Sequence, residues 1–269
     1  MRTILPIVIA ASAVLAPSCS GDRAGSDATR ASTAVTHTST TAATTSATTT
    51  TTSTTTTAPP NDLLAPPPTV VPNLPVTDGL APKLHRVPTT DRVIFITIDD
   101  GQIRDPSYLD HFARLGVPFT SFLLQTTAQA DPGYWKATTE RGGTIQTHTI
   151  THPNLRVTAE AKARTEICEP ADVFTQMFGK RPTLFRPPYG NSNDMVRRIA
   201  AQCGYRAVVL WAGSTNDGKL TMQDGQLQPG DIILMHYRTT LNADLDDVAA
   251  RARAEGFRIG RLEDYLTPG

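Results

Sequence analysis

The amino-acid sequence predicts an α/β fold, and within that class a distorted (β/α) barrel in preference to an open sheet. Three observations carry this expectation. From about Ala81 onward, short β-branched apolar runs alternate with stretches of helical periodicity. Alternation of this kind implies parallel strands joined by right-handed crossovers. The stretch from Ala81 to Gly269 is also too short for eight full units, since a complete barrel takes about 250 residues.

The elements follow in order. VIFITI (93–98) is a buried strand by its β-branched content, and PSYLDHFARLG (106–116) is a helix closed by Gly116. FTSFLL (119–124) leads to the helix PGYWKATTERGG (132–143), and TIQT (144–147) to a helix from about Ala159 to Phe178. TLFR (183–186) leads to NDMVRRIAAQCG (193–204), RAVVL (206–210) to a short irregular stretch, and DIILMH (231–236) to ADLDDVAARARAEG (243–256). A last strand is expected near Phe257 to Ile259.

The segment before this domain has a different character. Arg2 followed by the apolar run Ile4–Ala16 and then Pro17-Ser18-Cys19 reads as an export signal, too short to span a bilayer permanently. VLAPSC resembles a bacterial lipobox, so residues 1–19 are expected to be a signal peptide with Cys19 as the lipid-modified residue and only membrane attachment; cleavage near Ala16 and release is the alternative. Residues 20–80 are rich in Thr and Ser and then in Pro, lack the apolar content of a core, and are expected to form a disordered stalk. With Cys19 lipidated or removed, Cys168 and Cys203 remain as a candidate disulfide in an oxidising setting. Lys+Arg and Asp+Glu both number 25, so nothing in the charge balance points to nucleic acid.

In parallel α/β folds chemistry gathers at the carboxyl ends of the strands. Asp99-Asp100-Gly101 follows the first strand, His148 and His152 follow TIQT, and Arg186-Pro187-Pro188-Tyr189-Gly190 ends TLF. Trp211 to Asp217 follows AVVL, and His236 ends DIILM. Adjacent aspartates at a strand end point in different directions and can take separate roles. One aspartate with His148 and His152 makes a three-ligand site that leaves room for water and substrate, as in hydrolytic zinc; the same ligand types suit an iron(II) oxygenase. The second aspartate and His236 on the same rim favour hydrolysis, because polarised water, a carboxylate base and an imidazolium acid make a complete acyl-transfer apparatus.

TIDDG (97–101), HTITH (148–152), RPPYG (186–190), LWAGSTNDG (210–218) and IILMH (232–236) occur in the order and approximate spacing of the NodB-like polysaccharide deacetylases, carbohydrate esterase family 4. The chain resembles that family from about Val93 to Tyr265. The resemblance implies a distorted (β/α) barrel of NodB-homology type, a divalent metal, with zinc ahead of cobalt, and as substrate an N-acetylated wall polysaccharide such as peptidoglycan or a chitin-like polymer, sometimes O-acetylated xylan. It implies Asp99 as general base, Asp100, His148 and His152 as metal ligands, His236 as general acid, and Arg186 as the partner that orients the base. The Tyr189 backbone N–H would stabilise the oxyanion, with Pro188, Trp211, Ser214 and Asp217 beside the substrate. Tyr237 is a further candidate for the groove.

The sequence departs from the family pattern at three places. Ser214 replaces the aspartate that supports the acid histidine, Gly218 replaces a groove tryptophan, and Gln102 stands where proline is common. A serine hydroxyl can orient an imidazole but cannot favour its charged form as a carboxylate does. The leading expectation is an exported N-deacetylase; an O-acetyl esterase and a wall-binding protein with weakened turnover are the alternatives that these changes motivate.

Overall fold

In the computed structural model, residues 61–266 are described. The export signal, Cys19 and the Thr-rich part of the stalk lie outside the described residues. No helix among the described residues is long and apolar enough to cross a membrane.

The strands are β1 (Lys83–Leu84), β2 (Val93–Asp100), β3 (Phe119–Leu123), β4 (Gly143–Thr147), β5 (Leu184–Phe185), β6 (Ala207–Val209), β7 (Gly213–Asn216), β8 (Lys219–Met222), β9 (Asp231–His236) and β10 (Arg258–Ile259). The helices are α1 (Pro106–Leu115), α2 (Gln125–Ala130), α3 (Pro132–Glu140), α4 (Glu160–Phe178), α5 (Asp194–Gln202), α6 (Leu241–Ala254) and α7 (Leu262–Leu266). The sheet runs β1-β6-β5-β4-β3-β2-β9-β7-β8, and β10 joins the start of β2. Between β9 and β1 the ring is spanned at its base, where Arg86 bridges Asp231 and the Val87 N–H donates to the Gly230 carbonyl. The result is a distorted barrel of mainly parallel strands, curled around β2.

β2 lies at the centre because seven of its eight residues are buried, the signature of a strand covered on both faces. α1 starts where the Asp105 side chain accepts from the Ser107 N–H and ends at Gly116 in the left-handed conformation (φ 60°), as its sequence predicts. The helices cover the barrel with Phe112, Trp135, Ile167, Phe174 and Leu245. Cys168 on α4 and Cys203 after α5 form a disulfide with Cα atoms 5.4 Å apart.

Two expectations change. The stretch after RAVVL is an antiparallel hairpin, β7–β8, whose two-residue loop Asp217-Gly218 has positive φ at both positions (50° and 77°). This is the geometry a type I′ turn requires and that Asp-Gly favours. The packed region also begins before Ala81. The Leu63 side chain is fully buried, its carbonyl accepts from the Ile259 N–H, and the Asn61 side chain donates to the Leu115 and Gly116 carbonyls at the end of α1. A buried leucine, the Asn61 side chain and the Ala65 N–H, which donates to the Ile259 carbonyl, hold this strap in place.

Candidate active site

The carboxyl ends of β2, β4, β5 and β9 bring Asp99, Asp100, His148, His152, Arg186 and His236 to one rim. Asp99 is in register with His236 across the β2–β9 pair, and Asp100 with Leu123 across β2–β3. The chain reverses sharply after β2, with Asp100 at φ 75° and Gly101 at φ 80°. A Cβ on Gly101 would stand 2.7 Å from Trp135 Cζ2, so this turn admits no side chain without displacing the indole. The Asp100 carbonyl is held by the Thr127 hydroxyl.

Asp99 and Asp100 face different partners. The Asp99 carboxylate, 2 % exposed, accepts from Arg186 Nη1 at 2.6 Å. Arg186 is fully buried, and its remaining donors reach the Val209 and Leu210 carbonyls at 3.1 and 3.2 Å, with its guanidinium 4.2 Å from the Phe122 ring centroid. Such a pair is held by a complete set of partners, which a buried ion pair needs to be tolerated. Asp100 Oδ1 is 3.6 Å from His148 Nε2 and 3.6 Å from His152 Nε2.

The histidine states follow from their surroundings. His148 Nδ1 donates to the Arg186 carbonyl at 2.7 Å, which leaves Nε2 with its lone pair toward Asp100. Burial pushes the His148 pKa down, against the opposing pull of Asp99 and Asp100, and so favours the neutral ring that binds a metal. Burial also lowers the His236 pKa; Asp99 and Asp100 raise it, while Arg238 and Arg186 add to the lowering.

A divalent cation fits these residues. Ligand atoms of Asp100, His148 and His152 all lie within 4.8 Å of one another, and Asp100 Oδ1 is a buried oxygen with no hydrogen-bond partner among the described residues. A buried acceptor left unsatisfied costs about 1–3 kcal/mol, so an oxygen aimed at two imidazole nitrogens is accounted for by a cation between them.

The other expected residues divide. Pro188 is buried at the start of a tight turn, and Tyr189 (φ 60°) is 64 % exposed, its ring 4.6 Å from that of His152. Trp211 is half-buried against the same turn, since a Cβ on Gly190 would meet its indole at 3.1 Å, and its carbonyl accepts from the His85 ring and the Gln223 side chain. Ser214 lies on β7 in register with Leu234, and among the described residues no hydrogen bond joins it to His236. Asp217 is exposed in the hairpin loop and accepts from Asn216, so the turn explains its identity. Tyr237 does not reach the groove: it is 1 % exposed, its ring packs against Trp135 and Tyr108 between the sheet and the covering helices, and its hydroxyl pairs there with Ser121 at 2.6 Å. Two contributors carry no sequence signal, Thr127 under Asp100 and Glu166 on α4 against the loop between the histidines, because neither spacing nor residue type marks them.

Comparison with known proteins agrees with this geometry. The polysaccharide deacetylase family pattern matches residues 86–208. An uncharacterised protein of Streptomyces coelicolor is 37% identical over 194 residues, covering 70% of this chain and 78% of that protein. A peptidoglycan-N-acetylglucosamine deacetylase of Bacillus cereus is 28% identical over 196 residues, covering 67% of this chain and 91% of its own length. Among solved structures, a peptidoglycan N-acetylglucosamine deacetylase matches with TM-score 0.61 at 25% identity over 68% of this chain and 92% of the other. A family 4 carbohydrate esterase from Streptomyces lividans matches in fold with TM-score 0.56 at 24% identity, over 64% of this chain and 93% of the other. With the motifs on one rim and relatives matched along most of their length, the chain belongs to the polysaccharide deacetylase family, carbohydrate esterase family 4.

Proposed function

We propose that this polysaccharide deacetylase removes N-acetyl groups from N-acetylhexosamine residues of peptidoglycan, releasing acetate and leaving the amine on the sugar. The observation that carries the reading is the unpartnered, buried Asp100 Oδ1 between two imidazole nitrogens, one residue from a carboxylate held by a buried arginine. The polymer is chosen because relatives aligned over most of their length bear that activity in their names.

Asp100, His148 and His152 would hold a divalent ion, zinc first and cobalt as a competent substitute. When bound, the ion supplies Lewis acidity to the acyl oxygen and to water. Asp99 accepts the proton of the attacking water, and Arg186 keeps that carboxylate oriented. His236, in register with Asp99, gives a proton to the leaving nitrogen. The Tyr189 N–H contributes to the oxyanion site, and the exposed Tyr189 ring with Trp211 forms one wall beside the sugar. Export and a lipid anchor at Cys19 would place this chemistry outside the cytoplasmic membrane, next to the wall.

The absent hydrogen bond between Ser214 and His236 favours a second reading, an O-acetyl esterase, in which a better leaving group needs less acid assistance. The test is acetate release by the zinc- or cobalt-loaded protein from peptidoglycan, chitooligosaccharide and acetylated xylan, beside chelated and Asp99→Asn controls. Metal-dependent release from peptidoglycan supports the proposal. Release from xylan alone transfers it to the esterase, and no release from any of the three points to a binding role.

A further inference from the structure

We propose that Glu166 is the positioning residue that fixes the loop from Thr149 to His152 and so sets the affinity of the metal site. The inference rests on reading Asp100, His148 and His152 as metal ligands.

The two histidines are not held alike. His148 directly follows β4, is 2 % exposed and is fixed by the Arg186 carbonyl. His152 lies beyond a turn in which two residues other than glycine have positive φ, Thr149 at 77° and His152 itself at 64°. Such a turn persists only where its surroundings over-determine it. Glu166, 4 % exposed on α4, supplies that constraint. One carboxylate oxygen accepts from the N–H groups of Ile150 and Thr151, each at 2.9 Å, and the other accepts from the Thr151 hydroxyl at 2.7 Å. These are charge-assisted bonds to consecutive residues, stronger than neutral ones. On the other side of the turn the Gln125 N–H donates to the Thr149 carbonyl, and the His152 N–H donates to the Thr149 hydroxyl.

The helix carrying Glu166 is itself fixed. Ala163, Ile167 and Ala171 face the core, and Cys168 is bonded to Cys203. The carboxylate is therefore a stationary post to which the loop is tied. Releasing the loop lets His152 leave its place opposite Asp100, and apparent metal affinity falls by the fraction of molecules with His152 in position.

The experiment measures Zn(II) and Co(II) affinity of the full chain by competition with a chromophoric chelator, the Co(II) absorption spectrum, and the thermal melt of the metal-free protein. Glu166→Ala is expected to weaken both metals by about 10–100-fold, the range for residues that orient metal ligands, and to alter the Co(II) band. Glu166→Gln keeps one acceptor oxygen and is expected to recover part of the affinity. Ile167→Val, on the same helix, controls for lost packing and should lower the melting temperature with affinity unchanged. Should Glu166→Ala fail to fold, Glu166→Gln and Thr151→Val carry the test, each with a smaller loss of affinity. Affinity within twofold of wild type in a folded Glu166 variant overturns the positioning role alone. A wild-type protein that binds neither metal overturns the metal-site reading and this inference with it.

Discussion

Replacing Ser214 by aspartate should move the alkaline limb of the pH–rate profile upward by about one unit. Ser214 pairs with Leu234, and Leu234 and His236 are two apart on β9, so position 214 is a diagonal neighbour of His236, the proposed acid, on one face of the sheet. Diagonal neighbours lie about 7–8 Å apart, which lets a carboxylate at 214 approach the imidazole to about 6 Å. At an effective dielectric constant near 20 that charge is worth about 3 kcal/mol to the imidazolium. Half-exposure of position 214 and screening reduce it to about 1.4 kcal/mol, one pKa unit. The sign follows from the role. Burial lowers the His236 pKa, an acid must be protonated to act, and activity is therefore lost as pH rises through that pKa. A new carboxylate raises it and extends activity to higher pH. The assay is kcat/KM for acetate release against pH, for wild type, Ser214→Asp and Ser214→Ala. Ser214→Ala should superimpose on wild type, since no hydrogen bond from Ser214 to His236 is lost. An alkaline limb that stays put in Ser214→Asp, while His236→Asn abolishes it, would refute the geometry assigned to position 214.

Asp99→Asn should lower kcat by about 10²–10⁴-fold, the usual worth of a general base, with metal stoichiometry unchanged; acetate release and metal analysis on the same sample check both. Arg186→Leu leaves a buried Asp99 carboxylate without its cation and should cost about 3–5 kcal/mol, seen by calorimetry as a melting temperature lower by about 6–20 °C. Adding Asp99→Asn to that variant should restore part of the loss, since no uncompensated charge remains. Gly101→Ala should destabilise by about 1–3 kcal/mol in denaturant titration, because its Cβ would stand 2.7 Å from Trp135 at φ 80°; wild-type stability would show that this turn relaxes freely.

The parts of the fold legible in the sequence are those in which one residue's character decides its place. Of the six residues from Val93 to Ile98 five are apolar and five β-branched, and only a strand covered on both sides buries all of them. The rim motifs are legible because the parallel strands β2, β4, β5 and β9 all end on the same side. The β7–β8 hairpin has a strong turn signal in Asp217-Gly218, but it interrupts the strand–helix alternation that governs the rest of the domain and so does not follow from that pattern. Residues 61–65 open the Pro-rich stretch, yet Asn61, Leu63 and the Ala65 N–H are held by the end of α1 and by β10, contacts that composition cannot weigh. The Cys168–Cys203 bond depends on α4 meeting the end of α5 across 35 residues, and the grip of Glu166 on α4 meeting a loop across 15, a proximity only the packed structure supplies.

What makes the site specific is backbone shape more than residue content. Six residues other than glycine have positive φ among those described, and four of them, Asp100, Thr149, His152 and Tyr189, surround the candidate metal centre. Each costs about 1–3 kcal/mol, which no fold spends without compensation. At Asp100 the reversal separates two adjacent carboxylates, so that Asp99 stays buried on Arg186 while Asp100 turns to the imidazoles. At Thr149 and His152 it bends a loop back far enough for a histidine four residues beyond His148 to face the same oxygen. At Tyr189 it turns an aromatic ring outward over that histidine while the preceding proline stays buried. Relaxing any of these turns would keep every residue and lose their convergence, which is why His-x-x-x-His or Asp-Asp-Gly alone says little about chemistry. The strain at Asp100 and in the turn from Thr149 to His152 is opposed by Thr127 and Glu166, while the Arg186 carbonyl fixes the His148 ring, so the candidate ligands are held in position before a metal or substrate arrives.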